Sequence, residues 1–191
     1  MTMNPYQLCS RALIKIGANP IHSFQEGTAE SDVAGLLYDM TRDGLLSMHP
    51  WSFATAHKSL PRLQAPPLAD YSYAYQLPVD FLRALSVGNH DLNTAQRGDY
   101  RIHQNLIHTD LTQVMLSYIF RPSEDSLPPF FLGALITRLA AEFCLPITEN
   151  TSRAKELYRL AQDELRLAKG IDSQQQIPRQ LSDFTLINVR G

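Results

Sequence analysis

Residues 128–146 read Pro-Pro-Phe-Phe-Leu-Gly-Ala-Leu-Ile-Thr-Arg-Leu-Ala-Ala-Glu-Phe-Cys-Leu-Pro, and this stretch decides how the chain is organised. Leu132, Leu135, Ile136, Leu139, Ala140 and Phe143 recur at spacings of three and four, the period of a helix. Phe130 to Leu145 is apolar almost all round, so the helix is expected to be buried on several sides. Ser126 is placed to cap it, the two prolines fit its first turn, and Pro146 is expected to end it.

A second helix follows. Thr148 or Asn150 can cap it, Ala154, Leu157, Ala161, Leu165 and Ala168 form a narrow apolar stripe, and Gly170 supplies a stop. Two helices also open the chain. Asn4-Pro5 starts the first, with Tyr6, Cys9, Leu13 and Ile16 on one face and Gly17 at its end. After a connector over 18–27, Thr28 caps the next, which carries Val33, Leu36, Leu37, Met40 and Leu45 to about Met48, before Pro50 stops it.

Between the helical pairs the period falls to two. Trp51 and Phe53 alternate with Ser52 and Ala54. Tyr71, Tyr73, Tyr75 and Leu77 alternate with small or polar residues, and a further strand is expected near Leu82–Val87. A mobile connection is expected from Gly88 to Gly98, then strands at Tyr100–Thr109, turning near Gln104-Asn105, and at Gln113–Arg121. The expected class is therefore α+β: a four-helix bundle formed by both chain ends (1–50 plus 128–170), an inserted antiparallel β unit (51–127) and an extended C-terminal arm (171–191).

The 191 residues suffice for a core without disulfide or metal staples. Seventeen Lys+Arg against nineteen Asp+Glu give a net charge of −2, which excludes the strongly basic signature of a stand-alone nucleic-acid or membrane-surface binder. Charged residues make up 19 % of the chain, below the roughly 25 % of an ordinary soluble domain, while the apolar 44 % is normal. A surface short of charge is a surface suited to partners, so an oligomer is expected. The two cysteines, Cys9 and Cys144, lie far apart in helical contexts and suggest neither a disulfide framework nor a metal knuckle. With no basic-then-apolar leader and no uninterrupted apolar run of membrane length, a soluble chain without an export signal is expected.

Chemistry is sparse in the pattern. No GxSxG, GxGxxG or P-loop sequence is present. His103, His108 and Asp110 near a hairpin turn are the candidates for a metal-dependent or small-molecule enzyme, a reading that depends on strand register; solvent-facing strand residues are the plainer account. Tyr71, Tyr73 and Tyr75 lack the interleaved cations of a nucleic-acid stacking platform and read as one packed strand face. In the tail, Asp172 to Gln176 are polar enough for disorder, whereas Phe184, Leu186, Ile187 and Val189 would be aggregation-prone if left in water and suit docking along another subunit.

Several segments carry a resemblance. Ala12-Leu13-Ile14-Lys15-Ile16-Gly17, Ile21-His22-Ser23-Phe24, then Tyr38, Arg42-Asp43-Gly44-Leu45-Leu46 and His49-Pro50-Trp51-Ser52-Phe53-Ala54 resemble the tail tubular protein A family, the head-to-tail adaptors or gatekeepers of short-tailed bacteriophages. Tyr73-Ala-Tyr75-Gln-Leu77-Pro78-Val-Asp80-Phe81-Leu82-Arg83 and the strand Leu116–Phe120 are also similar, in the same order, so the likeness covers roughly residues 8–169.

The resemblance implies a virion protein of the neck, assembled in the host cytoplasm: a homo-oligomeric, dodecameric ring between the portal protein and the tail nozzle protein, with double-stranded DNA passing through it unbound. It implies no catalysis, cofactor, metal or membrane. A closed ring needs two different contact patches per subunit, which agrees with the shortage of surface charge. A channel that must release DNA favours neutral or acidic walls. Glu26, Glu30 and Asp32, with Glu124 and Asp125, are the candidate lumen-facing acids; the same acids also complement helix N-termini.

Overall fold

The computed structural model describes residues 3–67, 70–88 and 98–175. The apolar arm residues Phe184, Leu186, Ile187 and Val189, and most of the connection expected at Gly88–Gly98, lie outside the described residues. The protein is a mixed α+β chain with, among the described residues, four helices, α1 (Pro5–Ile16), α2 (Ala29–Ser47), α3 (Pro129–Thr148) and α4 (Thr151–Ser173). Its strands are β1 (Thr55–Ser59), β2 (Tyr73–Gln76), β3 (Phe81–Gly88), β4 (Tyr100–His103), β5 (Leu106–Thr109) and β6 (Met115–Phe120). They form two small antiparallel sheets ordered β1-β6-β3 and β2-β5-β4.

The helix starts follow local chemistry. Asn4 and Thr28 accept the backbone N–H groups of Gln7 and Ser31, and in each case the third residue's side chain returns a bond to the cap. Each such cap is worth about 1 kcal/mol. Gly17, at φ 79°, closes α1 in the left-handed conformation that glycine adopts without strain. Asn150, rather than Thr148, caps α4 through the N–H of Arg153.

The apolar run 130–145 becomes the centre of the fold. Phe131, Leu135, Leu139, Phe143 and Cys144 of α3 are fully buried, and α1, α2 and α4 all pack against this helix. Leu8, Leu13, Tyr38 and Leu46 join them in one core, to which β6 adds Ile119. A second core, built from Leu60, Tyr75, Leu77, Val87, Ile107, Val114, Leu116 and Tyr118, holds the sheets. β6 therefore serves both cores: Leu116 and Tyr118 enter one and Ile119 enters the other.

Five local expectations are corrected. Residues 52–54 form a 3-10 turn and the strand begins only at Thr55, because the Trp51 indole is buried and donates to the Leu45 carbonyl at 3.1 Å. Ser126 lies in another 3-10 turn, so Pro128 stands at the N-cap of α3 without a side-chain bond. The aromatic stretch at 71–77 contributes only Tyr73–Gln76 to a strand, and its neighbours Ala74 and Tyr75 are both buried, so both faces of β2 are covered. Pro146 does not end α3, which runs to Thr148. The Thr148 hydroxyl donates to the Cys144 carbonyl, and Glu149 turns left-handed to close the helix. Finally, Gly170 does not end α4, which continues through Ile171, Asp172 and Ser173 where an extended arm was expected. The hairpin turn at Gln104-Asn105 is present, with Gln104 at φ 53°.

Candidate functional site

The corner 49–54 is built around Trp51. Its ring meets His49 edge-on at 4.8 Å and Phe131 at 5.1 Å, and Phe53 packs on Phe130 and Phe131 at 6.1 and 5.2 Å. Asp172, only 1 % exposed, reaches this corner from the last turn of α4. Its carboxylate accepts the Ser52 N–H at 3.0 and 3.1 Å and the Ser52 hydroxyl at 2.6 Å, and His49 Nε2 lies 3.6 Å away.

Serine, histidine and aspartate thus meet at one point, but in an order unsuited to nucleophilic catalysis. The serine hydroxyl donates to the aspartate, whereas a nucleophile needs the imidazole as its base. Burial, and then Lys169 and Arg83, pull the His49 pKa below its ordinary value of 6.5 against the opposing effect of Asp172. The constellation works as a clasp: it ends α4, fixes the exit from α2 and holds the Trp51 corner together.

A second polar cluster joins the helices to the β strands. Arg42, whose side chain is 7 % exposed, donates to Glu124 at 2.6 Å and to Asp43 at 3.1 Å, and its guanidinium lies 2.9 Å from Asp39. Tyr38 also donates to Glu124, at 3.1 Å, and burial followed by the charge of Glu124 raises its pKa. Arg121, just after β6, grips Asp43 with two nitrogens. Arg42 is charged and buried, so this pairing is what makes its position tolerable.

The five candidate lumen acids therefore differ in environment. Glu124 is engaged by Arg42 and Tyr38. Glu26 accepts the backbone N–H groups of His22 and Ser23 at 2.5 and 2.8 Å and closes the loop before α2. Asp32 and Asp125 are exposed and Glu30 is half-buried. Asp125 borders an open cavity of about 410 Å³ with Arg11, Leu132 and Ile136.

The histidine pair is close, with His103 and His108 ring centroids 6.0 Å apart across the β4–β5 hairpin. Asp110 turns elsewhere and accepts the N–H and hydroxyl of Ser72 at 2.9 and 2.8 Å, contacts that lower its pKa. Among the described residues no group of three His, Cys, Asp or Glu side chains could hold a metal ion. Of the second motif, Tyr75 is buried and donates to the Leu111 carbonyl at 2.6 Å, while Arg62 covers the Tyr73 ring at 5.0 Å. Leu77 and Pro78 are buried, Leu77 bonds through its N–H to Asn105, and Asp80 accepts from Tyr118 at 3.3 Å and, through its carbonyl, from the Arg121 N–H. These residues tie β2, the β4–β5 turn and β6 together.

Two features escaped the sequence pattern. Asp172 sat in a polar run with nothing to mark it as buried. On α2, Leu36 and Met40 continue an apolar spacing yet are 78 % and 67 % exposed, as is Leu167 of α4 at 67 %. The signal was the width of the apolar arc on α2, which exceeds what one packing face can cover. α3 is long and apolar enough to cross a membrane by length and composition, with 61 % of its apolar window buried against the rest of the protein. No protein-family model matches the chain, and comparison with curated proteins finds no significant match.

Proposed function

We propose that the protein is a head-to-tail adaptor of a short-tailed bacteriophage, a structural ring subunit and not an enzyme. The observation that carries this reading is the ordered pair His49-Pro-Trp51-x-Phe53-Ala and Tyr73-x-Tyr75-x-Leu77-Pro78-x-Asp80, whose resemblance to tail tubular protein A comes with the same succession of helices, strands and helices. Both motifs occupy joints: one holds the end of α2 to α3 and α4, the other holds the two sheets together. A subunit that must bear the load between a DNA-filled head and a tail needs such joints more than it needs a cleft.

On this reading the four helices act as a bundle that contacts portal and neighbours, and the β unit faces the tail nozzle. The ring is dodecameric, lies in the virion neck and is assembled in the host cytoplasm. Exposed Leu36, Met40 and Leu167 are surface for neighbouring subunits. Glu30 and Asp125 are the acids best placed to repel DNA phosphates from the channel wall, since Glu26 and Glu124 have intramolecular partners and Asp32 lies one turn before the exposed Leu36–Met40 ridge. The segment 176–191, with Phe184, Leu186, Ile187 and Val189, serves as an arm onto a neighbouring protein.

Light scattering of the purified protein mixed with the portal of its virion tests the proposal. A ring-sized complex, with one adaptor per portal subunit, is expected. A protein that stays monomeric and does not bind the portal overturns it.

A further inference from the structure

The outward surfaces of the helices are apolar in two separate places. On α2, Leu36 and Met40 stand one turn apart, and exposed Gly44 and Met48 extend the row at four-residue spacing. On α4, Arg153, Leu157, Leu160, Glu164, Leu167 and Ile171 step by fours and threes, so they form one flank. Two contacts fix where that flank points. The Arg153 guanidinium donates to the Lys15 carbonyl at 3.0 Å, and the Glu164 carboxylate lies 3.4 Å from where a Cβ on Gly133 would stand. The flank therefore runs from the end of α1 along the first half of α3, forming with α1 the two walls of a trough. Leu160 and Leu167 are 45 % and 67 % exposed on one wall and Ile14 is 61 % exposed on the other helix.

The α4 wall carries one charge of each sign, Arg153 and Glu164, so the charge difference between the two surfaces lies between α2 and the α1 wall, where Lys15 also donates to the Thr137 hydroxyl at 2.7 Å. α1 carries Arg11 and Lys15 and no acid. α2 carries Glu30, Asp32, Asp39 and Asp43 against a single cation, Arg42, which is buried and shared among Glu124, Asp43 and one oxygen of Asp39, whose side chain is still 74 % exposed. The direction of the helices also matters. α2 and α4 both end at the Trp51–Ser52 corner, so they run in the same sense, whereas α1 runs alongside α3 and opposite to α4. A neighbouring α2 laid parallel to α4 with its Leu36–Met40 ridge in the trough turns its Asp32 and Asp39 side, about 70° round the helix from that ridge at 100° per residue, toward α1.

We infer that a second copy of this chain covers both surfaces: the α2 ridge of one subunit, Leu36 and Met40, seats between α1 and α4 of the next, with Asp32 and Asp39 against Arg11 and Lys15. This deepens the adaptor reading and rests on it. The two surfaces share no residue, so the contact is heterologous and repeats from subunit to subunit until a ring closes.

Two variants test the contact. In the full chain carrying Met40→Cys and Leu160→Cys, mild oxidation under the conditions where light scattering detects assembly, alone or on the portal, gives a ladder of disulfide-linked multimers. Each single variant gives none, since Cys9 and Cys144 are buried. Separately, Asp32→Lys with Asp39→Lys, and Arg11→Glu with Lys15→Glu, each abolish assembly at unchanged circular dichroism, and mixing the two proteins restores it. Rings that form without cross-links, or charge-reversed proteins that assemble singly, overturn the interface while leaving the adaptor reading in place. A dimer from Met40→Cys alone also overturns it, because α2 would then pack on α2. A chain monomeric both alone and with the portal overturns both.

Discussion

The Asp172 carboxylate accepts both the backbone N–H and the hydroxyl of Ser52, two residues separated by 120 positions in the chain, at 3.0 and 2.6 Å. One side chain thereby ends the last helix and fixes the corner where the second helix gives way to the sheet. Both bonds are to a charged acceptor with 1 % exposure, the setting in which hydrogen bonds contribute most.

Asp172→Ala should therefore lower stability by about 2 kcal/mol, the scale of losing hydrogen bonds to a buried charged group. Asp172→Asn, which keeps one acceptor oxygen, should cost about half as much. Urea titration followed by the fluorescence of the single tryptophan, Trp51, measures this at the corner itself. An unchanged midpoint for the alanine variant would show that Asp172 does not hold the corner.

His49 gives the same corner a pH dependence. Its folded pKa lies below 6.5, mainly because burial against Trp51 disfavours the charged ring. The unfolded chain consequently binds more protons at this site than the folded one, so stability rises with pH through this window. The contribution is complete above 6.5 and is lost as the pH falls from there through the folded value. His49→Gln should flatten the stability profile as the pH falls below 6.5. If the variant's slope is as steep as the parent's, other groups govern that range.

Much of the fold is legible because local rules and the global pattern agree in it. The Asn4-Pro5 start, the Thr28 cap, the Gly17 stop and the apolar run that becomes α3 are decided within a few residues of themselves. The misread elements were settled by distant partners. Ser52–Ala54 alternates like a strand, but the buried indole of Trp51 and the carboxylate of Asp172 hold it as a turn. Ser126 has the right side chain for a cap, but it lies in a 3-10 turn whose Glu124 is held by Arg42, and its hydroxyl donates to the Ser123 carbonyl instead. The outward apolar faces share a cause: the spacing of Leu36 and Met40 is helical whichever way they point, and only the position of α3 decides which arc is left uncovered.

Arg42 is the residue whose loss should be felt most widely. It is buried and touches Glu124, Asp43 and Asp39, and Asp43 in turn holds Arg121 beside the β strands. Arg42→Ala removes the charge that its partners were arranged around and should cost about 3 kcal/mol. Glu124→Gln, which keeps a hydrogen-bonding oxygen for Arg42 and Tyr38, should cost about 1 kcal/mol. Because the cluster bridges helices and strands, hydrogen exchange in Arg42→Ala should quicken in β6 as well as in α2. Faster exchange confined to α2 would show that the cluster does not couple the two.

Gly170 offers a test in which the sign of the effect decides between two local structures. At the end of a helix, in left-handed geometry, a glycine is favoured and Gly→Ala destabilises by about 1 kcal/mol. Within a helix the same substitution stabilises by about 0.5–1 kcal/mol, since alanine loses less backbone entropy. Here Gly170 lies inside α4, is exposed, and has nothing within 4 Å of where its Cβ would stand. Gly170→Ala should therefore raise the unfolding midpoint. The helix continues through this unfavourable residue because the bonds that Asp172 makes to Ser52, two positions later, outweigh a cost of about 1 kcal/mol. That argument makes a second statement about the double variant: with Asp172→Ala in place, the last turn has lost its anchor and frays, so Gly170→Ala should stabilise by less than it does in the parent. Equal effects in the two backgrounds would mean that the turn holds without Asp172, and a destabilising Gly170→Ala would mean that α4 stops where its sequence first suggests.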